Sequence, residues 1–238
     1  PLPFPIPAVR GWAATQNLRT PAPNHCPRSI VMLFHFARKH GHLPKGQPTE
    51  ADDIARAKDR GGRIGILRPA DLALMLHRAP ARVRLFLALG AFTGMRSSEV
   101  LRLDWKDVNF ERSFITVSPE KAKTATRRLV PIHPNLMRWL APYRNHARAV
   151  FKTPRDAGRA IAFAKKCHVE WPNNALRHSY ATYRLAVTAD AARVALEMGN
   201  SPQKLMTNYR ELADEREGQE WFEISPAKRP KIISLPCK

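Results

Sequence analysis

The stretch Val83-Arg84-Leu85-Phe86-Leu87-Ala88-Leu89-Gly90-Ala91-Phe92 constrains the fold more than any other part of the chain. Arg84 is its one charged residue. The run has the length of a helix, and a helix that is apolar on all sides has no face to offer to water. It is too short to span a bilayer, which takes about 20 residues. The segment is therefore expected as a helix enclosed by the rest of a domain and broken at Thr93-Gly94. A chain of 238 residues with 44% hydrophobic side chains can supply that enclosure.

The texture on either side differs. Pro1, Pro3, Pro5, Pro7, Pro21, Pro23 and Pro27 remove amide donors, so the opening is read as irregular. Ser29–His40 carries a helical apolar pattern, stopped by Gly41 and Pro44. Residues 45–65 are polar and read as a linker. Pro69-Ala70-Asp71 opens a helix through Leu76, and Arg96–Leu103 forms a shorter one after Gly94. A turn over Asn109–Ser113 leads into the β-branched run Phe114–Val117, and Leu129–Ile132 reads as a second strand. Helices resume after Pro134, over Asp156–Cys167, about Asn173–Ala186, Asp190–Met198 and from Ser201 through Tyr209. The fold class is mainly α with a small antiparallel β-sheet (α+β). Three regions follow: an irregular segment, remnant helix and linker over 1–65, a main domain over 66–220, and a basic tail over 221–238. The chain does not begin with Met, so a truncated start is expected.

Forty basic side chains against twenty acidic ones give a net charge of +20. Such an excess points to a polyanionic partner, with nucleic acid first, or equally to a basic protein that only sticks non-specifically, rather than to a membrane or a small-molecule substrate. No secretion signal is visible. Cys26, Cys167 and Cys237 are scattered and odd in number, which suits a reducing cytoplasm, and on DNA the nucleoid. His25, Cys26, His35, His40 and His42 fit no standard zinc spacing, and neither metal nor cofactor is expected.

Three short segments carry chemistry. They are Thr93-Gly94-Met95-Arg96-Ser97-Ser98-Glu99, Asn174-Ala175-Leu176-Arg177-His178-Ser179 and, after Met198-Gly199-Asn200-Ser201, Thr207-Asn208-Tyr209-Arg210. Breaking a phosphodiester by direct attack needs a nucleophile in line, cationic donors on the non-bridging oxygens, and an acid for the leaving oxygen. Arginine forks suit the phosphate oxygens, and tyrosine forms an ester that stores the bond for religation. No metal is needed for that scheme.

In order and separation these segments resemble the three signatures of the tyrosine recombinase (phage integrase) family, over about residues 66–213. The resemblance implies that family's catalytic domain, a DNA breaking-rejoining fold, with an upstream domain of which the Ser29–Gly41 helix is a vestige. It implies that Arg96 and Arg177 clamp the scissile phosphate and that Tyr209 attacks it to form a 3′-phosphotyrosyl link. Lys123 matches the family's general acid, with Lys121 as the alternative, and Glu99 matches a carboxylate that braces the site. Lys121, Arg127 and Arg128 fall in the same basic loop and are read as DNA-binding. Four protomers on two duplexes are implied, making this chain a site-specific recombinase or integrase.

Two positions depart from the family pattern. Asn174 stands three residues before Arg177 where the family has histidine, and Asn200 follows Gly199 where it has histidine or tryptophan. Asparagine can donate to a phosphate oxygen but cannot hold a proton, so removal of the Tyr209 proton is expected to run through water or Lys123. His178 is expected to point elsewhere on its helix, because the matching histidines of the family are structural. Trp105 and Trp171 are read as core. Alternatives are a member that binds DNA without cutting it, a type IB topoisomerase-like enzyme, and a basic chromatin protein.

Overall fold

The computed structural model describes residues 25–44, 46–49, 51–54, 64–120, 127–209 and 212–226, without the side chains of residues 25–28 and 208. The proline-rich opening, much of the linker, Lys121, Lys123 and the end of the basic tail lie outside the described residues. The chain divides into two units, residues 1–62 and 63–238.

In the first unit, α1 (His25–Lys39) ends ahead of Gly41, whose φ of 78° suits a residue without Cβ. Arg38 Nη2 donates to Asp52 at 2.6 Å and to the Gln47 carbonyl at 3.1 Å, tying the following turn back to the helix. The amide of Thr49 and the Arg38 guanidinium hold the Asp52 carboxyl down at about 2.

The second unit is built around the apolar run. α2 (Pro69–Arg78) leads into α3 (Ala81–Thr93), where Val83 and every residue from Leu85 to Thr93 are buried. Enclosure comes from α5 (Pro134–Leu140), α6 (Asp156–Lys166) and α7 (Ala175–Thr188), which all pack on α3. Arg82 clamps the start of α6 through two hydrogen bonds to buried Asp156, at 2.8 and 2.9 Å. Gly90 lets α7 approach closely, since a Cβ there would lie 2.6 Å from Leu176 Cδ1.

The sheet holds β1 (Val108–Asn109), β2 (Phe114–Val117) and β3 (Arg128–Pro131), antiparallel in that order. Ile115 faces Val130, and both are fully buried, as period-two alternation requires. α4 (Ser97–Leu101) follows Gly94, and α8 (Ala191–Met198) and α9 (Pro202–Tyr209) follow α7. Trp105 is buried and stacks on Tyr143 with ring centroids 5.5 Å apart, which fits a core role.

The boundary expected at residue 221 is corrected. α10 (Glu215–Glu223) runs through Trp221, which is fully buried, stacks on Tyr183 and donates its indole N–H to the Ala91 carbonyl at 3.1 Å. The Ile224 carbonyl accepts from Trp139 Nε1 at 3.1 Å. Residues through Ser225 therefore belong to the core, because α10 seals the outer side of α7 and α3. Among the described residues, no helix is long and apolar enough to cross a membrane.

Candidate active site

Two glycine-closed helix ends create the site. α3 ends at Gly94 (φ 62°) and α8 ends at Gly199 (φ 66°), both left-handed. A Cβ on Gly94 would sit 2.3 Å from Tyr180 Cδ1, so space as well as backbone angle demands glycine there. The two turns lie together and share cationic partners. Arg177, on the first turns of α7, donates to the Gly94 carbonyl, to the Met198 carbonyl at 3.1 Å and to Asn200 Oδ1 at 3.0 Å. Arg96, at the start of α4, donates to the Gly199 carbonyl at 3.4 Å. The first and second arginines are thus brought to one place from positions 81 residues apart in sequence (96 and 177).

Glu99 holds this arrangement from beneath. Its side chain is wholly buried. It accepts from the Arg96 amide at 2.9 Å, from Arg96 Nη1 at 3.1 Å and from Arg128 Nη2 at 2.5 Å. Burial pushes its carboxyl up, but hydrogen bonds from Arg128 and from Arg96 outweigh that and hold it below the usual carboxylate range. Arg128 also donates to the Glu197 carbonyl at 3.2 Å. Three guanidiniums against one carboxylate leave a local excess of positive charge. Burial first, and the Arg96 charge next, lower the Arg177 guanidinium to about 10. It stays cationic at neutral pH, in a setting that favours an arriving anion.

A second buried network fixes the end of α8. Glu197 accepts from Tyr180 Oη at 2.8 Å and from Arg184 at 2.9 and 3.1 Å. Burial raises the Glu197 carboxyl, yet Arg184 and Tyr180 bring it below its ordinary value. His133 lies within 3.3 Å of the Tyr180 hydroxyl, and burial pushes its imidazole down to about 4.

The sequence expectations fare unevenly. Arg96, Arg177, Glu99 and Asn200 come together. Asn200 turns its side-chain oxygen to Arg177 rather than capping a helix. Asn174 is exposed, left-handed (φ 51°) and makes no side-chain cap bond. It lines a cavity of about 420 Å³ with Met95, Ser97, Trp171 and Arg177. Arg127 is exposed. Arg128 is corrected: its side chain is 8% exposed and committed to Glu99, so it braces the site from inside.

Tyr209 is 6% exposed, with its ring among Tyr180, Leu185, Met198 and Leu205. Its hydroxyl lies 2.7 Å from His178 Nδ1, on the residue that follows Arg177. The expectation that His178 points elsewhere is therefore overturned. α9 packs on α7, and that packing brings the Tyr209 hydroxyl to His178. Burial raises the Tyr209 phenol, with Arg177 pulling the other way, and burial with Arg177 lowers the His178 imidazole. Both groups are accordingly neutral near pH 7. Helical position alone carried no signal for this contact, since it depends on where α9 lands.

A model of the phage integrase family matches residues 67–216, and the chain belongs to that family. Over 70 residues it is 37% identical to a Sinorhizobium fredii (strain NBRC 101917 / NGR234) protein provisionally named integrase/recombinase y4rE. That match covers 29% of this chain and about a fifth (22%) of the relative's length. Among solved structures, the integrase of mycobacterium phage Brujita aligns with a TM-score of 0.54 at 16% identity, over 95% of this chain and 80% of that one. A lambda integrase dimer bound to a COC′ core site gives 0.61 at 16% identity, over 88% and 76%. The Tn1549 transposon integrase in complex with transposon right end DNA gives 0.61 at 18%, over 91% and 84%. These likenesses establish the tyrosine recombinase fold.

Proposed function

We propose that this chain is a site-specific DNA recombinase that cuts and rejoins strands through a 3′-phosphotyrosyl intermediate. The observation that carries the reading is the joint attachment of Arg96 and Arg177 to the Gly94 and Met198–Asn200 turns, with the Tyr209 hydroxyl on the residue after Arg177. A phosphate entering there meets two guanidiniums already held in place by hydrogen bonds, so little reorganisation is needed as charge builds on its oxygens. Tyr209 Oη bonds to phosphorus and the P–O5′ bond breaks. Lys123 supplies the proton to the departing 5′-oxygen. Asn174 donates to a non-bridging oxygen, and Asn200 steadies Arg177. The energy of the broken bond is kept in the tyrosyl ester, so religation needs no nucleotide.

Double-stranded DNA is the partner in this reading, which the +20 charge supports. Function on two duplexes calls for a homotetramer, acting in the cytoplasm at the nucleoid. Residues 1–65 belong to the upstream DNA-clamping part and the domain from 66 carries the chemistry.

The test is a covalent adduct. A pool of nicked duplexes with randomised cores is incubated with the protein and denatured, and protein-linked strands are sequenced. The reading expects an adduct that disappears in Tyr209→Phe. DNA retention without any adduct would instead define a binding protein that does not cut.

A further inference from the structure

We propose that His178 is a catalytic residue, the acceptor of the Tyr209 proton during strand cleavage. The inference rests on the phosphotyrosyl reading above and supplies the step that reading lacks. A phenol must lose its proton as it attacks, and in that reading Lys123 already serves the leaving oxygen. Asn174 and Asn200 cannot take a proton. Among the described residues, the one hydrogen-bond partner of the Tyr209 hydroxyl is His178 Nδ1, at 2.7 Å. That is within direct proton-transfer reach and needs no water between.

The placement is built rather than accidental. His178 adjoins Arg177 on α7, so the group that receives the proton is fixed relative to the group that holds the phosphate. The neighbouring Ser179 is buried, donating to the Ala175 carbonyl and accepting from the Leu67 amide, both at 2.8 Å. This pins the helix at that turn. For Nδ1 to accept, the imidazole carries its hydrogen on Nε2, and the phenol donates.

The step balances. Tyr209 Oη forms a bond to phosphorus while its proton passes to His178 Nδ1. The P–O5′ bond breaks and O5′ takes a proton from Lys123. The nascent imidazolium lies beside Arg177, which opposes it, but the charge arriving with the phosphate offsets that opposition. In religation the 5′-hydroxyl gives its proton back to Lys123 as it attacks phosphorus, the P–Oη bond breaks, and imidazolium returns the proton to the leaving phenolate.

The experiment pairs His178→Asn, which keeps an acceptor but cannot hold a proton, with two nicked duplexes. One carries the natural 5′-oxygen at the scissile bond and the other a 5′-sulfur, which leaves without needing an acid. His178→Asn is expected to form adduct about 10²-fold more slowly on both substrates. Lys123→Ala is expected to be slow on oxygen and recovered on sulfur. A rate for His178→Asn within about threefold of wild type, or a defect that vanishes on sulfur, would overturn the proposal. Absence of adduct with the unaltered protein would instead defeat the phosphotyrosyl reading, and this step with it. Nitrogen-15 NMR of the unaltered full chain gives a check that no misfolded variant can spoil. An Nε2–H tautomer at His178 supports the assignment and an Nδ1–H tautomer contradicts it.

Discussion

Replacing Glu99 by glutamine removes one buried negative charge from between two guanidiniums. Glutamine fills the same volume, so packing is nearly unchanged and the electrostatic effect stands alone. The amide keeps one acceptor for the four donor contacts that Glu99 now receives from Arg96 and Arg128. Its NH₂ also faces a cation. Arg128 is 8% exposed and cannot swing out to water without opening the β3–α8 packing. Breaking a buried pair from one side costs about 3–5 kcal/mol, and the partial exposure of Arg96 (23%) places this case at the low end, about 3 kcal/mol. For a domain of this size that lowers the melting temperature by roughly 6–12 °C. Urea unfolding should show a lower midpoint at constant slope. A double replacement, Glu99→Met with Arg128→Met, should recover most of the loss, since the buried Arg128 charge is gone and Arg96, with 23% of its side chain exposed, can turn to water. A Glu99→Gln loss under about 1 kcal/mol, or a double variant as weak as the sum of its singles, would refute the bracing argument.

Other outcomes follow from the same geometry. Gly94→Ala should lose about 3 kcal/mol in urea unfolding, from a left-handed backbone plus a collision with Tyr180. Arg127→Ala should leave stability unchanged but lower the salt slope of DNA binding by about one, whereas Arg128→Ala should destabilise the fold. His133 has its imidazole pushed from 6.5 to about 4, chiefly by burial and next by the Arg184 charge. Below pH 6.5 the unfolded chain binds a proton that the folded one refuses, so stability present above 6.5 is lost as pH falls toward 4. The full loss is roughly 3 kcal/mol. Denaturant titrations should show that decline, flattened in His133→Gln.

The enclosed helix, the two glycine turns and the three signature segments were legible because each rests on a local rule. An all-apolar helix must be buried, and a left-handed helix end wants glycine. Arg128 was misread although the signal was there: on a strand it shares a face with Val130, which is buried opposite Ile115. Period two turns it inward, while Leu129 between them is 52% exposed. The tail boundary failed because basic residues after Ser225 masked the apolar end of α10 and its cap, where Trp221 and Ile224 are buried in the core. His178 and the Glu197–Arg184–Tyr180 network had no such signal. Their contacts join helices whose relative placement only packing decides.

The central claim is that Arg96 and Arg177 neutralise one phosphate while Tyr209 attacks it. Adduct formation on a nicked duplex bearing a neutral methylphosphonate at the scissile position tests this most directly. On ordinary phosphate, Arg96→Ala and Arg177→Ala should each lose about 10²–10³-fold in rate. On methylphosphonate, where one negative charge is already gone, most of that penalty should vanish for both, and Tyr209→Phe should stay inert. Equal penalties on the two substrates, or adduct formation by Tyr209→Phe, would contradict it.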